Sequence, residues 1–210
     1  MRVVSILSYV LVFVAVDFLV SFLTYPLVMR SVPATRIEYF MSSIIFSELS
    51  GFLTFFYLIK RRGITLREIG FTNTRSPLPF MLTLIIALAY SGLELQIPSV
   101  GEYAFQLNDL KVIAVLTAVV AGFVEEIVFR GFVVTLTREK GVLRSTLLSA
   151  CLFGLAHLEW GFGGVLGTFL LGLGMAYVMY SGRSVIPCII GHMLIDGLTE
   201  PGLAITFLHI

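Results

Sequence analysis

Between Gly122 and Gly131 the chain reads Gly-Phe-Val-Glu-Glu-Ile-Val-Phe-Arg-Gly. Two adjacent carboxylates and a guanidinium stand inside an apolar run that begins near Lys111 and ends near Leu136. Even on lenient insertion scales a charge at bilayer depth costs at least ~2.5 kcal/mol, so three on one segment need partners and a reason. Glu126 and Arg130 are four apart and share a helix face one turn apart. Glu125 is rotated from Glu126 by ~100° and points elsewhere. Arg130 is therefore expected to neutralise and position Glu126, while Glu125 faces a polar cavity and does chemistry. The plainer alternative is a helix-packing ion pair beside one protonated glutamate, but ionisable groups within membranes mark function by default.

Two of the three histidines fall in other apolar segments, His157 and His192; His209 sits at the tail. Phe153 and His157 share a face by four-residue spacing, as do His192 and Asp196. Glu125 is thirteen positions from Arg138 and His157 thirteen from Arg144. At ~1.5 Å rise per residue each lies ~20 Å in from one membrane face, and His192, nine positions from Arg183, lies ~14 Å in. Polar motifs on three helices thus converge on nearly one level. A carboxylate and an imidazole on either side of a water can orient it and take its proton. A second imidazole and a nearby polar side chain can stabilise the oxyanion of a tetrahedral intermediate. No serine or cysteine lies in a recognisable nucleophile motif, which disfavours a covalent route.

The elements that must hold these groups follow from composition. The 210 residues are 58% hydrophobic and 13% charged, with mean hydropathy +0.99. That composition excludes a soluble domain of this size and predicts an all-α, polytopic transmembrane helical bundle, one integral membrane domain over residues 1–210. Seven to eight helices are expected. They run from about Val3 to Val28, Tyr39 to Ile59, Pro77 to Ile97, Lys111 to Leu136, Val142 to Leu158, Val165 to Tyr180 and Val185 to Leu198. Pro201-Gly202 is expected to interrupt the last, leaving Leu203 to Ile210 as a half-helix or the stub of an eighth. The first apolar run is too long for a signal-peptide core and reads as a retained span. Ile64 to Arg75 reads as a loop resting at the interface on Leu66, Ile69 and Phe71, and Pro98 to Asp109 as a loop.

Asp17 lies within the first helix without an evident purpose. Glu48 lies among Ser42, Ser43, Ser47 and Ser50, a setting for interhelical hydrogen bonding; the sharper reading puts it on the same cavity as Glu125. Cys151 and Cys188 imply neither a disulfide framework nor a paired-cysteine metal site. A net charge of +1 without a basic stripe gives no reason to expect nucleic acid. The loops after helices 2, 4 and 6 hold nine lysines and arginines, against three after helices 1, 3 and 5. That bias puts the first set in the cytoplasm, with the amino terminus expected outside, in the plasma membrane of a prokaryote.

Glu125-Glu126-x-x-x-Arg130, Phe153-x-x-x-His157 and His192-x-x-x-Asp196 resemble the motif set of the CAAX protease and bacteriocin-processing family, also called the ABI family, which includes the Rce1-type endopeptidases. The resemblance covers roughly Leu78 to Leu198. It implies an intramembrane endopeptidase of about eight helices whose substrate is a prenylated carboxyl-terminal tail, a leader peptide or a membrane-protein loop. By the same matching, Glu125 and His157 hold the attacking water, His192 and Asp196 form the oxyanion site, and Glu126, Arg130 and Phe153 support them. Rce1-type members usually carry asparagine where this chain has Asp196. An ionised aspartate cannot donate to an oxyanion, so Asp196 is either protonated or orients His192. No cofactor is expected. A zinc ion between Glu125, His157 and His192 is the close alternative, since these are acceptable ligands, although no His-Glu-x-x-His signature is present. A proton relay or transporter, which would call for internal repeat symmetry, and a non-catalytic membrane partner are the remaining classes.

Overall fold

A computed structural model describes residues 3–31, 33–74 and 76–208. The expectations that fell on Arg75, His209 and Ile210 lie outside these. Among the described residues the regular structure is all helical, without strands. The elements are α1 (Val3–Arg30), α2 (Pro33–Arg61), α3 (Leu78–Glu94), α4 (Pro98–Tyr103), α5 (Asp109–Glu125), a π-helical segment (Glu126–Val134), α6 (Thr135–Thr137), α7 (Val142–Ala156), α8 (Gly161–Gly182) and α9 (Ile186–Leu208). Short 3-10 turns at Arg138–Lys140 and Leu158–Trp160 link α6 to α7 and α7 to α8.

Five helical stretches are long and apolar enough to cross a membrane: Ser5–Arg30, Arg36–Arg61, Asp109–Lys140, Leu158–Gly182 and Ile186–Thr206. Two shorter apolar helices, α3 with 17 residues and α7 with 15, pack with them in one helical bundle. The rod Asp109–Lys140 lies at its centre and with α9 is the most deeply buried. α5 packs along α9, α1 along α2 and α7 along α8. Leu11, Leu19, Phe22 and Leu23 of α1 stay exposed, a surface suited to lipid rather than water. Both cysteines are free.

The central helix, expected from Lys111 to about Leu136, widens from Glu126 into π geometry for nine residues, all of them buried. Such widened turns concentrate at functional sites. Phenylalanine rings meeting edge to face hold this one in place: Phe132 with Phe55 and Tyr9, Phe129 with Phe13 and Phe153. The Ser149 hydroxyl, from α7, donates to the Phe129 carbonyl at 2.8 Å and so satisfies a backbone acceptor within the segment.

Three boundaries differ from expectation. Pro98 to Asp109 is not all loop; Pro98–Tyr103 forms α4, with proline in its first turn, where a missing N–H costs nothing. α9 runs unbroken through Pro201 to Leu208, so the residues after Pro201 continue this helix and do not form a separate one. Neighbouring helices let a membrane helix tolerate a proline, and α9 lies against α3, α4 and α5. The 64–71 loop does not merely rest on the interface: Ile69 is fully buried in the main core. A Cβ at Gly131 would stand 2.8 Å from the Ile69 carbonyl oxygen, so only glycine lets this loop close over the π segment.

The two halves of the orientation expectation exclude each other. Arg62 Nε, just past α2, donates to the Tyr9 hydroxyl near the start of α1 at 3.0 Å. Arg67, Arg138 and Arg183 line one depression at the same end of the bundle. The basic loops therefore share a face with the amino-terminal end of α1.

Candidate active site

The two short helices α3 and α7 end at Glu94 and Ala156, on the face away from the basic loops. Toward that face the bundle encloses a cavity of about 400 Å³. Its floor holds Glu125, Phe153, His157, His192 and Asp196.

Glu125 is the last α-helical residue before the π segment. Its Oε1 stands 3.7 Å from His157 Nε2 and its Oε2 3.5 Å from His192 Nε2. His157 is not inside a helix, as expected, but caps the end of α7 with φ −105° and ψ 28°. There the backbone bends into the Leu158–Trp160 turn, so the imidazole projects into the cavity. Its Nδ1 donates to the Phe153 carbonyl at 2.9 Å. That bond fixes the tautomer, and a neutral ring then offers the bare Nε2 to the space beside Glu125.

The His192 ring stands between carboxylates. Its Nδ1 donates to Glu126 Oε1 at 2.8 Å, while its Nε2 faces Asp196 Oδ2 at 3.3 Å and Glu125 at 3.5 Å. Acceptors on both nitrogens suit an imidazolium that donates from each. α9 reaches this close because of Gly122: a Cβ there would meet the Met193 backbone nitrogen at 3.1 Å and the His192 Cβ at 3.5 Å.

Beneath the histidine lies the expected ion pair. Arg130 Nη1 is 3.1 Å from Glu126 Oε1, and both side chains are 0% exposed. The guanidinium also lies over the Phe153 ring, its Cζ 3.8 Å from the centroid. The opposite side of the site packs on that ring too, with His157 at 4.7 Å and His192 at 5.7 Å between centroids. Phe153 is thus the common surface on which cation and imidazoles rest. The contact of Arg130 with Glu126 is not aligned as a hydrogen bond, and Glu126 Oε2 has no hydrogen-bond partner within the protein. The pair is electrostatic first.

All seven residues singled out from the motifs therefore meet in one place. Glu48 and Asp17, whose purpose was open, line the same cavity. So do Glu94, Glu159 and Glu200, which sequence reasoning passed over. A signal for Glu200 existed: it stands four residues after Asp196, on the same face, once α9 continues past Leu198. Among the described residues no set of three or more histidine, cysteine, aspartate or glutamate side chains is arranged to hold a metal ion.

Residues 108–198 match the family model described as type II CAAX prenyl endopeptidase Rce1-like. No curated protein and no solved structure matches the chain. The matched segment begins just before α5, ends within α9 and carries Glu125, Glu126, Arg130, Phe153, His157, His192 and Asp196. Over that segment, which is less than half of the chain, the protein is similar to the type II CAAX prenyl endopeptidase Rce1-like family.

Proposed function

We propose that this protein is an intramembrane endopeptidase that hydrolyses a peptide bond with a water activated by Glu125 and His157. The observation that carries the reading is the 3.7 Å gap between Glu125 Oε1 and His157 Nε2 on the cavity floor. A water ~2.8 Å from each would subtend an angle of about 83°, within what one oxygen accepts. Glu125 takes the proton as the water attacks, and His157, held by its bond to Phe153, steers the lone pair. The oxyanion forms on the side of His192, whose Nε2–H donates to it. Asp196 reaches that same nitrogen at 3.3 Å, which favours the reading in which it orients His192. Glu126 fixes the ring from behind and Arg130 neutralises Glu126.

The reaction in this account uses no metal; zinc held by Glu125, His157 and His192 is the alternative. Substrates are prenylated carboxyl-terminal tails or leader peptides that enter the cavity in extended form. The basic face lies in the cytoplasm by the positive-inside rule, with the amino terminus on the same side, in the plasma membrane. The cavity then opens toward the outer face. Labelling of Arg61→Cys and Glu102→Cys variants in intact cells with an impermeant maleimide tests this; only the second is expected to react.

The activity itself is tested with a peptide library and purified protein. Glu125→Gln and His157→Ala are each expected to lose at least about 10²-fold in cleavage rate while eluting as folded protein. Retained cleavage in either variant removes the proposal.

A further inference from the structure

Beyond the seven site residues, five carboxylates line the cavity: Asp17 and Glu48 on the α1–α2 wall, Glu94 and Glu200 on the α3–α9 wall, and Glu159 at the mouth. Among the described lining residues there is no lysine or arginine. Glu48 is 6% exposed, yet its Oε2 has no hydrogen-bond partner within the protein. The same holds for Asp17 Oδ1, Glu94 Oε2 and Glu200 Oε2. Buried polar atoms are normally paired, and a lone one calls for an explanation. Interhelical hydrogen bonding, the plainer expectation for Glu48, leaves that oxygen unexplained.

We infer that Asp17 and Glu48 form a cation subsite that receives a lysine or arginine side chain of the substrate near the scissile bond. The inference rests on the reading of the cavity as a peptide site. A basic side chain entering between α1 and α2 supplies a donor to Glu48 Oε2 and Asp17 Oδ1, the oxygens that Glu125 and Ser47 leave unmatched. No lysine or arginine among the described lining residues competes for these carboxyl groups, and an incoming cation favours their ionised form. The same wall carries Phe18, Phe22 and Phe40, apolar area that covers the stem of a long basic side chain while its head reaches the carboxylates. The substrate class is thus a peptide with a positive charge close to the cleaved bond, on an otherwise apolar or lipidated segment.

The probe is a set of fluorogenic apolar peptides with a single lysine, or its uncharged counterpart norleucine, at each position around the cleaved bond. For wild type, lysine at one position is expected to raise kcat/KM at least about tenfold over norleucine. In Glu48→Gln that preference falls to threefold or less, and Asp17→Asn lowers it as well. Binding of the same pairs to the inert Glu125→Gln protein gives a readout without cleavage, with the lysine peptide at least about tenfold tighter. A preference below threefold at every position, or one that survives both Glu48→Gln and Asp17→Asn, overturns the inference. Cleavage without lysine preference sinks the subsite and leaves the protease reading standing. Lysine-selective binding without any cleavage does the reverse.

Discussion

Arg130 and Glu126 form a pair whose removal can be worked through in numbers. Both side chains are fully buried and 3.1 Å apart. At an effective dielectric of ~20 their attraction is about 5 kcal/mol, set against a desolvation cost of several kcal/mol for each ion. The stack of Arg130 on Phe153, at 3.8 Å, adds up to about 2 kcal/mol for a desolvated cation over a ring. The pair as a whole therefore contributes little net stability, while either half alone is costly. Arg130→Met leaves Glu126 buried with only His192 against it and should destabilise by about 3–5 kcal/mol. On the scale of soluble domains of this size that is a fall of roughly 6–20 °C in Tm. Glu126→Gln strands the guanidinium and should cost a similar amount. Glu126→Gln/Arg130→Met removes both charges and keeps an acceptor for His192 Nδ1, so it should cost less than either single change. The assay is thermal unfolding of the four proteins in one detergent, read as a double-mutant cycle. A coupling of at least ~2 kcal/mol is expected; single losses that add within ~0.5 kcal/mol would mean the two residues do not act as a pair.

Three further outcomes are expected. Gly131→Ala forces a methyl within 2.8 Å of the Ile69 carbonyl, and should cost about 1–3 kcal/mol, seen as a lower Tm and faster proteolysis in the 64–74 loop. Asp196→Asn preserves shape and adds an N–H donor beside His192, so kcat should stay within about tenfold of wild type, whereas Asp196→Ala should lose about 10²-fold; equal losses would deny Asp196 its positioning role. Exhaustive chelation should leave cleavage unchanged in protein carrying less than stoichiometric metal, and activity that returns only with zinc would establish the metal-bound alternative.

The site was more legible than the frame that carries it. Spacing of four residues along a helix is local, so Glu126 with Arg130, Phe153 with His157 and His192 with Asp196 could be paired from sequence, and depth along each apolar run brought the pairs to one level. The stack of Arg130 on Phe153 is a contact between the π segment and α7 and leaves no local trace. The π segment itself is invisible in hydropathy, because its residues other than Glu126 and Arg130 are apolar on every side whatever the turn. Tertiary packing decided the other departures. Pro201 reads as a breaker, yet neighbouring helices carry α9 past it. Ile69 looks like an interfacial anchor until Gly131 opens a place for it. The same misplaced end of α9 hid Glu200, and with it the extent of the acidic wall.

The claim on which the account depends is that Glu125 and His157 act on one and the same water. Single-turnover cleavage by wild type, Glu125→Gln, His157→Asn and the double variant tests it most directly. Groups that work as a unit are not additive in rate, so the double variant is expected to be no slower than the slower single variant. Independent effects that multiply, or a single variant that cleaves at the wild-type rate, would contradict it.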